Sequence, residues 1–127
     1  MNKATKAVII SQGKYLLQLR DKDLNISFPD SWGFFGGLME DHETPEECIN
    51  RELMEELKVR SKIIKKDKIA INKLSNCKHF FFQIEILDKV YSRNLSEGQD
   101  FGWFTFSEIK RLKRSWELDE YFDFKIN

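Results

Sequence analysis

Residues 37–59 read GLMEDHETPEECINRELMEELKV and are rich in carboxylates. The core of this stretch, residues 51–56, holds three carboxylates and one guanidinium in six residues. If it is helical, Glu52, Glu55 and Glu56 fall within an arc of about 100°, because residues three and four apart are neighbours on a helix surface. A hard divalent cation such as Mg²⁺, which prefers oxygen ligands, would offset their repulsion. The alternative for a Glu-rich helix is a solvated acidic face.

Local chemistry marks the start of this predicted helix. Thr44 can cap it, Pro45 suits the first helical position, and Glu47 completes a capping box with Thr44. An apolar stripe recurs at every fourth position: Ile49, Leu53, Leu57. We therefore expect a helix that docks this stripe on a sheet.

A glycine pair, Gly36 and Gly37, ends the apolar run 32–35 just before the helix. Backbone without a Cβ can turn sharply there and present carbonyl or amide groups to a ligand. Together with the acidic helix, this sequence resembles the signature of the Nudix hydrolases, a family that cleaves nucleoside diphosphates linked to another moiety. The residues in register with the signature are Gly37, Glu43, Arg51, Glu52, Leu53, Glu55, Glu56 and Val59.

Lys58 departs from the signature, which has glycine at this position. The position lies just beyond the helix, where the backbone is commonly left-handed. A lysine there should cost about 1 kcal/mol, unless the turn adopts another geometry. The departure removes no metal ligand.

The resemblance implies a role for each acidic residue. Glu52, Glu55 and Glu56 are expected to bind Mg²⁺, or Mn²⁺, with the Gly36 carbonyl as a backbone ligand. Glu52 is alternatively the base that activates water, since family members differ here. Arg51 is expected to hold a carboxylate one turn away, either Glu47 or Glu55, and Glu43 to brace that arginine.

A second resemblance involves Glu97. Residues 95–100, LSEGQD, precede the strand-like run 101–104, and they look like the Glu-Gly-Gln loop of mutator-type family members. In those proteins the loop glutamate can reach the metal, which makes Glu97 a candidate additional ligand or base. The alternative is an ordinary polar turn residue.

The sequence is less informative about the substrate. Phe28, Trp32 and Phe34 are candidates for stacking on a base, although aromatic residues near a sheet are more often core. Gln18 and Arg20 are candidates for contacts with phosphate or sugar. A nucleoside triphosphate, an oxidised nucleotide and a nucleotide sugar all stay open as the small-molecule substrate.

Composition bounds the remaining questions. With 127 residues, 41% of them hydrophobic, we expect a single domain over residues 1–127. The formal net charge of zero provides no field for duplex nucleic acid. No apolar stretch is long enough for a membrane span, so we expect a cytoplasmic protein. Its oligomeric state is expected to be a monomer or a homodimer. Cys48 and Cys77 have neither CxxC nor zinc spacing and are expected to be reduced and structural.

Hydrophobic patterning predicts an α/β fold. Strands are expected at 6–11, 15–20, 32–35, 63–74, 78–87 and 102–106, with a hairpin turn at 12–14. Ser107 is expected to cap a helix through about Arg114, and residues 119–124 to add a short helical turn. The resemblance implies a Nudix-like α/β/α sandwich with a mixed β-sheet. The main function expected is Mg²⁺-dependent hydrolysis of a pyrophosphate linkage, and the alternatives are a catalytically silent Nudix-fold module that binds a nucleotide or partner and a purely structural interaction domain.

Overall fold

The computed structural model describes residues 1–20, 30–91 and 100–124. Their strands are β1 Asn2–Ser11, β2 Lys14–Leu19, β3 Trp32–Gly33, β4 Phe35–Leu38, β5 Ser61–Asn72, β6 Cys77–Ile86 and β7 Asp100–Phe104. Their helices are α1 Pro45–Leu57, α2 Phe106–Ile109 and α3 Trp116–Phe122. The strands form one mixed sheet in the order β3-β2-β1-β6-β5, in which β4 also pairs with β1 and β7 with β2.

Strand β1 lies at the centre of this sheet. It runs parallel to β6, with Ala4 opposite His79, and antiparallel to β4, with Lys6 opposite Gly36. Strands β5 and β6, which are consecutive in the chain, pair antiparallel. The pairing of β1 with β4 places the glycine pair opposite Thr5 and Lys6.

Side chains alternate between the two faces along each strand, so β1 contributes apolar residues to both faces. Helices cover each of these faces. On one face α1 packs its stripe of Ile49, Leu53 and Leu57 against a core that includes Ala7 and Ile9 of β1. On the other face Val8 belongs to a second core with the following residues: Phe34, Phe81, Ile109, Leu118. The predicted α/β/α sandwich with a mixed sheet is therefore confirmed.

Several element boundaries differ from the predicted ones. Strand β1 begins at Asn2 rather than Lys6, because its polar first residues find partners in β4 and β6. The predicted strand 32–35 is divided into β3 and β4 around Phe34. No described helix is long and apolar enough to cross a membrane.

The two C-terminal helices differ in position from the predicted ones. Thr105, not Ser107, caps α2 through a reciprocal capping box with Glu108, and the helix ends at Ile109 instead of continuing to Arg114. The Arg114 Nη1 donates to the Lys110 carbonyl at 2.7 Å, where the chain leaves the helix. Helix α3 then begins at Trp116, three residues before the predicted turn of helix.

Candidate functional site

The start of α1 has the predicted capping box. The Thr44 Oγ1 accepts from the Glu47 amide at 3.1 Å, and the Glu47 carboxylate accepts from the Thr44 amide at 2.9 Å. This pairing fixes the direction in which the chain enters the helix. Because Glu47 is held at the cap, the expected contact between Arg51 and Glu47 does not form.

Arg51 instead organises the acidic residues around it. Its Nε and Nη2 donate to the two carboxylate oxygens of Glu43 at 2.6 and 3.0 Å, a bidentate pair. Its Nη1 donates to Glu52 Oε1 at 3.0 Å and to Glu55 Oε2 at 3.2 Å. Its Nη2 also donates to the Leu38 carbonyl at 3.1 Å. The guanidinium thus connects the loop before α1 with two carboxylates on the helix, and the predicted Arg51–Glu55 and Arg51–Glu43 contacts are both present.

The Arg51–Glu43 pair has a clear electrostatic signature. Hydrogen bonds from Arg51 lower the pKa of Glu43 to about 2, although burial opposes this change. The Glu40 amide, which donates to the same carboxylate at 2.9 Å, lowers that pKa further. The same pairing raises the pKa of Arg51 above its ordinary value. Both groups are therefore charged at neutral pH.

Glu52 and Glu56 are buried carboxylates, 9% and 3% exposed. The Glu56 Oε1 accepts from the Gly36 amide at 3.2 Å. Gly36 has φ +147, and a Cβ there would lie 2.0 Å from the Thr5 carbonyl oxygen. A Cβ on Gly37 would lie 2.4 Å from Glu52 Oε1. Glycine is required at both positions, because the Thr5 backbone leaves no room for a side chain at Gly36 and the Glu52 carboxylate leaves none at Gly37.

The side chain of Glu55 is 58% exposed and turned toward Arg51. Among the described residues, no three acidic, histidine or cysteine side chains already surround a common point. The residues that fit a hard cation best are Glu52 and Glu56, because they are buried oxygen donors beside the Gly36 backbone. Arg51 compensates part of their charge without blocking both carboxylates.

A cavity of about 870 Å³ opens next to these carboxylates, a size typical of small-molecule sites. The predicted site residues that line it are Gln18, Arg20, Gly36, Gly37, Arg51, Glu52 and Glu56. Gln18 is held in place, since its Nε2 donates to the Phe34 carbonyl at 3.2 Å. The structure therefore places Gln18, Arg20 and the buried carboxylates around one space.

The described aromatic candidates lie away from the cavity, and Phe34 is buried in the second core. Trp32 is not part of the cavity lining, and its ring packs edge-on against Phe104 with centroids 4.8 Å apart. Phe28 and Glu97 lie outside the described residues, so both assignments stay predictions. Lys58 has φ 58 and ψ 38, which confirms the left-handed backbone expected where the signature has glycine.

Three residues that sequence reasoning did not select also line the cavity: Lys6 from β1, His79 from β6 and Glu117 from α3. They are far apart in the chain and meet only through the parallel β1–β6 pairing and the docking of α3. The one local signal is a polar side chain beside an apolar run, as at Lys6 before residues 7–10. That signal alone does not distinguish a site from the end of a strand.

Comparison with known proteins shows the same fold in other solved structures. A NUDIX hydrolase from Nitrosomonas europaea superposes with a TM-score of 0.77 at 20% identity over 92% of this chain, which spans 64% of that protein's length. The MutT protein from Methanosarcina mazei Go1 matches with a TM-score of 0.78 at 18% identity, covering 96% of this chain and 90% of that one. An ADP-ribose pyrophosphatase from Streptococcus suis matches with a TM-score of 0.67 at 17% identity, covering 99% and 94%.

At these low identities, the superpositions establish a shared fold alone. The family is shown by a direct match to the sequence. The model of the NUDIX domain matches residues 1–123 of the 127. The matched range includes the glycine pair and helix α1. The chain therefore belongs to the NUDIX domain family.

Proposed function

We propose that this protein is a Mg²⁺- or Mn²⁺-dependent hydrolase that cleaves the pyrophosphate linkage of a nucleoside di- or triphosphate derivative. The observation that carries the proposal is the pair of buried carboxylates, Glu52 and Glu56, which line a cavity large enough for a nucleotide. Their orientation is fixed by Arg51 on one side and by the Gly36 amide on the other.

The reaction is a hydrolysis in which a water oxygen bonds to phosphorus while the bond from that phosphorus to the bridging oxygen breaks. Charge accumulates on the phosphate oxygens, and the water must lose a proton. A divalent cation bound by Glu52 and Glu56 would neutralise that charge and make the water easier to deprotonate. The leaving phosphate carries away the electron pair of the broken bond.

The chain's own residues supply position and charge. Arg51 orients Glu52 through a hydrogen bond of 3.0 Å, and Glu43 in turn holds Arg51 through two hydrogen bonds. Arg20 and Gln18, on the cavity wall, are assigned to the phosphate or sugar of the substrate. Glu97 is assigned to take the proton from water while Glu52 holds the cation; the alternative is that Glu52 takes the proton instead of holding the cation. Glu55 completes the acidic group from the solvent side.

The test is hydrolysis of a substrate panel. The protein is incubated with Mg²⁺ and nucleoside triphosphates, an oxidised triphosphate, nucleotide sugars and dinucleotides, and inorganic phosphate and pyrophosphate are measured. We expect turnover of at least one compound, abolished by excess chelator and restored by Mg²⁺ or Mn²⁺. Nucleotide binding without turnover of any compound would support the silent binding module instead, and turnover that persists in chelator would contradict the metal dependence.

A further inference from the structure

The cavity has a second group of buried polar side chains, Lys6, His79 and Glu117, which we call the polar pole. They are 8%, 9% and 5% exposed. Ala4 lies opposite His79 in the β1–β6 ladder, and Lys6 is two residues further along β1. Lys6 and His79 therefore share the sheet face covered by α3, the helix that supplies Glu117.

Hydrogen bonding in the polar pole is incomplete. Within the described part of the chain, Glu117 Oε1 and His79 Nδ1 have no hydrogen-bond partner. The Lys6 Nζ lies 3.9 Å from Glu117 Oε1, too far for a hydrogen bond. Buried polar atoms are nearly always satisfied in proteins, so these two atoms at one cavity are placed to form hydrogen bonds with a ligand or with water.

The backbone leaves room for this arrangement. A Cβ on Gly33 would lie 2.4 Å from Glu117 Oε1 and 2.6 Å from Ser115 Oγ. Gly33 therefore allows the carboxylate to lie against β3. A larger residue at that position would push Glu117 out of its present place.

The charges of the polar pole balance. Lys6 and Glu117 carry opposite charges. Burial acts to raise the pKa of Glu117, but the Lys6 charge, a hydrogen bond with Ser115 and the Arg20 charge together hold it below its ordinary value. Burial, with a smaller contribution from Lys6, lowers the pKa of His79 to about 4, so His79 is neutral at pH 7. A phosphate group would meet the Glu117 carboxylate and be repelled. An uncharged group with a donor next to an acceptor would satisfy both Glu117 and Lys6.

The shape of the wall favours a flat group. Trp116 lines the cavity, and its ring lies 4.8 Å from that of His79, centroid to centroid. Apolar surface from Ala4 and Leu74 borders the same space. Planar heterocycles combine a flat apolar face with a polar edge, whereas sugars are not flat.

We propose that the polar pole binds the hydrogen-bonding edge of the substrate's nucleobase and determines which base is accepted. An N–H of the base donates to Glu117 Oε1, and a neighbouring base acceptor receives a hydrogen bond from the Lys6 ammonium. The inference rests on the proposed function for the identity of the substrate as a nucleotide. It adds the residues that read the base, which lie outside the acidic motif.

The first test measures binding without hydrolysis. The protein has two histidines, and His42 is exposed on the loop before α1, outside this cavity. Cytidine, uridine, adenosine, guanosine and ribose are titrated in chelator while the imidazole signals of both histidines are followed by NMR. We expect at least one nucleoside to shift the His79 signals in a saturable manner, with His42 unchanged and ribose without effect.

The second test uses variants and the substrate found in the hydrolysis panel. Glu117→Gln and Lys6→Met should lower kcat/KM about tenfold or more for the preferred base and change the ratio between nucleotides that differ only in the base. The matched controls are Glu120→Gln on the same helix and Lys3→Met on the same strand, which should keep the wild-type ratio. Gly33→Ala, which displaces Glu117, should reproduce the loss of base preference if Glu117→Gln folds poorly.

The two tests separate the inference from the proposed function. A His79 response to a nucleoside in a protein that hydrolyses nothing would leave the base site standing and remove the enzymatic function. Hydrolysis with an unchanged base ratio in folded Glu117→Gln and Lys6→Met would overturn the base site and make the pair a structural ion pair. A His79 response to ribose equal to that of every nucleoside would assign the polar pole to the sugar and also overturn the proposal.

Discussion

Glu43→Gln tests whether the bidentate Arg51–Glu43 pair stabilises the fold around the site. A pKa lowered from 4.5 to about 2 corresponds to about 3 kcal/mol of stabilisation at neutral pH if the pair were fully shielded. The Arg51 side chain is 22% exposed, so water screens part of this interaction. We expect the glutamine variant to lose about 1–2 kcal/mol of unfolding free energy at pH 7.

The pH dependence gives the prediction its sign. The folded pKa of Glu43 lies below its ordinary value, so the stabilisation is fully present above about pH 4.5 and is lost as the pH falls toward 2. The stability difference between wild type and Glu43→Gln should therefore shrink by about half or more between pH 7 and pH 3. Glutamine keeps the shape and one acceptor, so the difference reports mainly the charge.

The assay is urea denaturation of both proteins in chelator at pH 7 and pH 3, with Glu46→Gln as the control. Glu46 is exposed in the first turn of the same helix, so its neutralisation should cost only a few tenths of a kcal/mol. A difference for Glu43→Gln that is no larger than this control, or that is equal at the two pH values, would refute the assigned role of the pair.

Three further variants test the geometry of the acidic helix. Glu55→Gln should change the unfolding free energy of the metal-free protein by less than about 0.5 kcal/mol, because the attraction of the exposed Glu55 to Arg51 offsets its repulsion by the other carboxylates. A larger stabilisation would show that the repulsion dominates. Lys58→Gly should raise Tm by about 2 °C in calorimetry, since glycine relieves the left-handed backbone, and a decrease would mean that the lysine side chain contributes more than the strain costs. Gly37→Ala should lower hydrolysis at least about tenfold, because its Cβ would displace the Glu52 carboxylate, and wild-type kinetics would show that Glu52 can move without consequence.

The parts of the fold that sequence reasoning predicted well are those with local causes. The capping box of Thr44 and Glu47 and the apolar stripe of α1 lie within one segment, and the helix forms where they indicate. The left-handed backbone at Lys58 follows from its position just after the helix. The role of Glu43 in bracing Arg51 came from the family resemblance, and the structure provides the two hydrogen bonds.

The parts that were missed depend on contacts between distant segments. The first residues of β1 are polar and become a strand only because β4 and β6 pair with them. Lys6, His79 and Glu117 come from β1, β6 and α3, and no local pattern marks them as neighbours. The metal-ligand role of Glu55, which the family resemblance implies, stays a prediction. Helical spacing does not decide which carboxylate is buried, as Glu52 and Glu56 are, and which is exposed and paired with Arg51, as Glu55 is.

The most direct test of the central proposal, that Glu52 and Glu56 hold the cation used for hydrolysis, is the turnover of Glu56→Gln. On the best substrate at saturating Mg²⁺, kcat should fall at least about a hundredfold relative to wild type, because one anionic ligand is lost while the hydrogen bond from the Gly36 amide can be kept. Circular dichroism should show the variant folded, and Glu46→Gln should keep wild-type turnover. A folded Glu56→Gln protein with turnover within a few-fold of wild type would contradict the account.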